Sequence, residues 1–114
     1  MLDIQKETHG DVVVLVLTGQ LDALTADSMK PIVDELMDSK TTNIVFDLQK
    51  VTLIDSSGVG AIVSVFKRTR AWNGNTMISG LSAQPLEVFK LLKLDKVIRV
   101  HTSVEQALSN FNQS

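Results

Sequence analysis

Six consecutive apolar residues, Val12-Val13-Val14-Leu15-Val16-Leu17, most of them β-branched, run straight into Thr18-Gly19. So short and stiff a run is a strand, and because neither side of its alternation is polar, both of its faces must be covered inside a sheet. The remaining chain has to supply the covering layers. Leu2 to Thr8 alternates ahead of it and Gly10 offers a turn, which predicts a hairpin. Helical layers follow. Met29, Ile32, Val33, Leu36 and Met37 recur at helical spacing, with Lys30, Asp34, Glu35 and Asp38 on the other side. Pro31 means that this helix either begins near Ser28 or kinks.

Asn43 to Leu48 reads as the next strand, and Val51 to Ile54 as a second short apolar run that leads into Asp55-Ser56-Ser57-Gly58. Val59, Ile62, Val63 and Phe66 then form a helical stripe that ends near Trp72-Asn73-Gly74, where glycine suits the left-handed closing position. Thr76 to Leu81 is a further strand. Ser82 with Pro85 in the first turn starts a helix carrying Val88, Phe89 and Leu92. Val97 to Val100 is a last short strand, and Thr102-Ser103-Val104-Glu105 has capping-box spacing ahead of a stripe of Val104, Ala107, Leu108 and Phe111. The sum is an α/β sandwich with a mixed, mostly parallel sheet of about five strands and about four helices. Residues 1–114 are expected to form a single domain, since no linker, repeat or low-complexity segment interrupts them.

Composition closes several routes. The chain has no cysteine, which excludes a disulfide scaffold, a thiolate metal site and a cysteine nucleophile. Eleven basic against thirteen acidic residues leave a net charge of −2, too little for a nucleic-acid footprint. The longest apolar run is a third of the roughly 18 residues of a membrane span, and Met1 to Gly10 lacks the basic start and apolar stretch of a secretion signal. The expectation is a cytoplasmic protein with no membrane or nucleic-acid partner.

Open α/β sheets place function in loops beyond the strand ends, and Asp55 to Gly58 is such a loop. The free amides and positive dipole end of a starting helix would hold a phosphate on Ser56. Asp and Ser are also the preferred helix caps, and on physical grounds alone that plainer reading weighs somewhat more. For Asp22, turn formation and partner contact weigh about equally. Ser57 is read as an amide or packing contact. Lys67, Arg68 and Arg70 favour the negative end of their helix and read as a solvated face, with Trp72 a candidate partner anchor. His9 and His101 read as ordinary surface histidines.

Leu17-Thr18-Gly19-Gln20-Leu21-Asp22, the amphipathic helix after it, Val45-Phe46-Asp47-Leu48 and Ile54-Asp55-Ser56-Ser57-Gly58-Val59-Gly60 together resemble the STAS domains of anti-sigma factor antagonists. The resemblance extends over essentially the whole chain. It implies a STAS-like fold and a regulatory switch in which a partner serine kinase phosphorylates the serine directly after the motif's aspartate, here Ser56. It also implies a partner-binding loop of Asp22, Asp55, Ser56, Ser57 and Gly58. The unphosphorylated protein would bind the kinase or anti-sigma-type protein, which supplies the ATP, and a serine phosphatase would reset it. No cofactor, metal or catalytic residue is expected, and the protein would be a monomer or weak dimer.

Two other readings stand beside this one. The same fold could regulate a non-sigma output, such as a two-component pathway, a transport complex or a signalling assembly. A serine hydrolase using Ser56, with Asp22 or Asp55 and a histidine, is weaker, because the motif is not Gly-x-Ser-x-Gly and neither histidine follows a strand as a triad base should. The chain also lacks a phosphate-binding Gly-x-x-x-x-Gly-Lys loop and any kinase signature, so it would not be a kinase itself.

Overall fold

A computed structural model describes residues 2–112. Strands β1 (Leu2–His9) and β2 (Val12–Leu21) form the expected antiparallel hairpin, turning at Gly10 with φ +64°. β3 (Asn43–Ile54), β4 (Asn75–Ser79) and β5 (Val100–His101) follow in parallel, giving the order β1-β2-β3-β4-β5. Helices α1 (Lys30–Asp38), α2 (Ser56–Ala71) and α3 (Ala83–Leu91) are the crossovers between the parallel strands, and α4 (Val104–Asn112) follows β5. The fold is therefore the expected α/β arrangement of a mixed five-stranded sheet and four helices.

The period-2 alternation of β2 explains why both of its faces are apolar. Leu15 and Leu17 pack with Ile44, Phe46 and Ile78 against Val33 and Leu36 of α1, Ile62 and Val65 of α2, and Phe89 of α3. Val12 and Val14 point the other way, with Val45 and Met77, onto Ala107 of α4. Each layer covers apolar surface that the strand could not leave in water.

Local details differ from the sequence expectation. Asn43–Leu48 and Val51–Ile54 are one continuous strand, β3, running through the exposed Gln49 and Lys50; its pairing with β2 absorbs two register shifts. A 3₁₀ turn over Ala26–Met29 leads into α1, so Pro31 falls in the first helical turn, where a missing N–H breaks no helical bond. After α2 the left-handed residue is Asn73 at φ 62°, not Gly74. Gly74 is needed for close approach, because a Cβ there would run into the Thr42 carbonyl. β4 stops at Ser79, before Gly80 with φ +75°. The last strand is Val100–His101; Leu94–Lys96 is a 3₁₀ turn, Ile98 is buried and Val97 exposed. Leu92 is exposed and off the buried stripe of α3. The α4 cap sits one residue later than expected: Ser103 Oγ accepts from Gln106 N, and Gln106 Oε1 accepts from Thr102 N and Oγ1.

Candidate functional site

β3 ends at Ile54 and delivers Asp55 to the start of α2. Asp55 is extended (φ −117°, ψ −173°), the geometry of an N-cap, and its Oδ1 accepts from Gly58 N at 3.0 Å. Its Oδ2 accepts from Ala23 N, also at 3.0 Å, and its own amide donates to Leu21 O. One carboxylate thus joins the loop after β2 to the first turn of α2. Gly58 permits that approach, since a Cβ on it would meet the Leu21 carbonyl and come within 2.8 Å of Leu21 Cγ.

Asp22 lies in the same loop, but its carboxylate serves its own turn. Oδ1 accepts from Leu24 N at 3.0 Å, while the Thr25 hydroxyl accepts from Asp22 N and lies 2.7 Å from Gln20 O, to which it donates. It is the backbone amide of Ala23, and not the Asp22 side chain, that bonds to Asp55. At the tip Leu24 is 93% exposed. Gln84 of α3 braces the junction from behind: its Oε1 accepts from Ile54 N and its Nε2 donates to Ile54 O, both at 2.9 Å. Its sequence position carries no sign of this, because the pairing spans thirty residues.

On this scaffold Ser56 and Ser57 are exposed, and Ser56 is the first residue of α2. The amides of Ser56 and Ser57 are first-turn donors that the helix itself leaves without a carbonyl. Ser57 also borders a groove of about 590 Å³ between the α1 and α2 sides, whose lining includes Ala23, Ala26, Met29, Lys30 and Arg68. Beyond it Asp34 bonds to Lys30 Nζ at 2.9 Å and to Arg68 Nη1 at 3.1 Å, and these partners hold its carboxyl below the usual range. Arg68 therefore ties α2 to α1 instead of lying on a merely solvated face, and Arg70 lies 5.6 Å from the Phe66 ring centroid.

No Ser-His-Asp hydrogen-bond chain includes Ser56 among the described residues. Among the described residues no hydrogen bond links either histidine to Asp22, Asp55 or Ser56, and His9 pairs with Glu7. Nor do three His, Asp or Glu side chains gather as metal ligands among those residues. His101 departs from a surface histidine, since its Nε2 is buried; burial, and then the nearby Arg99 charge, lower its pKa.

Residues 3–107 match the family model of the STAS domain. The anti-sigma-B factor antagonist of Listeria monocytogenes is 27% identical over 95 residues, covering 83% of each chain. The anti-sigma factor antagonist of Mycobacterium paratuberculosis superposes with a TM-score of 0.87 at 19% identity, covering 96% of this chain and 93% of that one. The Bacillus cell fate determinant SpoIIAA in its phosphorylated form superposes with a TM-score of 0.77 at 22% identity, covering 96% and 99%.

Proposed function

The chain belongs to the STAS domain family, and from that premise we propose that it is an anti-sigma-factor-antagonist-like switch controlled at Ser56. Unphosphorylated, it binds a partner serine kinase or anti-sigma-type protein through Asp22, Asp55, Ser56, Ser57 and Gly58. The partner, using its own ATP, phosphorylates Ser56 and is released, and a serine phosphatase restores the starting state. The observation that carries this reading is an exposed serine at the first position of a helix whose cap, Asp55, is fixed from two sides. Relatives bearing the name anti-sigma-B factor antagonist, and a phosphorylated protein of the same fold, support it.

Charge supplies the release step. Phosphate adds about −1.5 to −2 charges at Ser56, beside the carboxylate of Asp55 and one loop away from Asp22. The helix amides hold that anion in water; buried against a partner it meets acidic neighbours and loses its hydration. An unpaired interfacial charge costs about 2–5 kcal/mol, and each decade of affinity is about 1.4 kcal/mol. Calorimetry against the partner kinase should give near wild-type affinity for Ser56→Ala and at least about tenfold weaker binding for Ser56→Asp and the phosphoprotein. Equal affinity for the phosphorylated and unphosphorylated forms would rule out release by phosphate. Because the Asp55 bonds do not involve the Ser56 hydroxyl, backbone chemical shifts of Ser56→Asp should match wild type away from the loop.

A further inference from the structure

Between the end of α3 and β5 the chain reads Lys90-Leu91-Leu92-Lys93-Leu94-Asp95-Lys96-Val97-Ile98-Arg99. Four cations against one acid give this segment a charge of +3 (4 − 1), so the rest of a chain of net −2 carries −5 (−2 − 3). Lys90, Lys93, Lys96 and Arg99 are all exposed, and none joins an ion pair among the described residues. The same segment exposes Leu91 at 81%, Leu92 at 51% and Val97 at 59%. Phe89 and Ile98 anchor it in the core, and Lys93 reverses the chain at φ 58°, so the protruding side chains are not needed for packing.

α3 starts with Gln84 bonded to Ile54 beside Ser56 and runs back against the strand direction, so its end, Leu91 to Lys93, lies at the pole away from Ser56. The chain then returns to pair Arg99 O with Ile78 N. α2 likewise starts at Ser56 and runs away from it, and the exposed Trp72 closes it just before Asn75 N bonds to Thr42 O ahead of β3. We propose that this pole docks on an anionic lipid surface. Leu91, Leu92 and Val97 would enter the boundary between headgroups and acyl chains, with the lysine ammonium groups at phosphate level on their apolar stems. No residue of the segment lines the groove beside Ser57, and its apolar groups stand exposed instead of being set in that trough. A lipid surface needs no trough. The acidic remainder of the chain is repelled by anionic lipid, which fixes the orientation and leaves the Ser56 loop facing away. The sequence expectation of no membrane partner rested on the missing span, and a protein lying at the surface needs none.

Sedimentation with vesicles of phosphatidylcholine containing about 30% phosphatidylglycerol, against vesicles of phosphatidylcholine alone, tests this at low salt. Binding to the anionic vesicles only is expected, with a blue shift of Trp72 fluorescence and loss in about 0.5 M salt. Lys90→Glu/Lys93→Glu/Lys96→Glu and Leu91→Ser/Leu92→Ser, folded by circular dichroism, should each bind at least about tenfold more weakly. No preference for anionic vesicles, or unchanged binding by the lysine variant, would overturn the proposal. So would concentration-dependent self-association without vesicle binding, abolished by Leu91→Ser/Leu92→Ser, which would make the pole a contact between copies of this chain.

Discussion

Asp55 divides its carboxylate between its own helix and a loop 32 positions earlier in the chain, one oxygen on Gly58 N and the other on Ala23 N. Its removal should therefore cost more than an ordinary cap. An N-cap alone is worth about 1 kcal/mol, and the Ala23 amide would lose a charge-assisted partner as well, so Asp55→Ala should destabilise by about 2–3 kcal/mol in urea unfolding. Asp55→Asn keeps one acceptor oxygen and should fall between the two. A loss no larger than that of a plain cap would mean that the link to Ala23 adds nothing. Asp22 should be milder in this assay, because its side chain orders only its own turn.

Helix α2 carries two glycines with opposite duties. A Cβ on Gly58 would meet the Leu21 carbonyl, whereas around Gly60 nothing lies within 4 Å. Gly60→Ala should therefore stabilise by about 0.5–1 kcal/mol through helix propensity, and Gly58→Ala should destabilise despite the same gain. Thermal unfolding of the pair reads the sign directly; a destabilised Gly60→Ala would show that exposed position to be constrained. This contrast also marks how far the sequence could be read. β2, the hairpin and the stripes of α1, α2 and α4 are set by local periodicity, which the residues display. The continuity of β3 through polar Gln49 and Lys50 and the stub of a last strand depend on neighbouring strands, which they do not. At the site, Asp55 was legible as a cap and Ser56 as its exposed neighbour. The Ala23 amide and the Gln84 brace were not, because a backbone donor has no residue type and a pairing across thirty positions has no period.

Across the whole sheet, Val16, Asp47, Ser79 and His101 occupy one register row, so three polar residues lie side by side on the three strands at the sheet's later end. Asp47 and Ser79 border a second groove, about 540 Å³, with Thr102, Ser103 and Glu105 at the start of α4. In His101 desolvation, then Arg99, lower the pKa, with no hydrogen bond at the buried Nε2 among the described residues to favour the cation. In the unfolded chain an imidazole titrates near its ordinary value of about 6.5. Between that value and the lower folded one, the unfolded state binds more protons, so stability is fully present above about pH 6.5 and declines as pH falls through the folded pKa. Asp34 acts in the same direction, but only once pH approaches the ordinary carboxyl range near 3.8. The two contributions are thus separated by pH. Urea unfolding of wild type and His101→Gln between about pH 7.5 and pH 5 should show a decline in stability for wild type and a flatter profile for the variant, whatever their difference at the upper end. Parallel profiles would mean that His101 keeps its ordinary pKa in the folded protein, and that the row leaves it open to water.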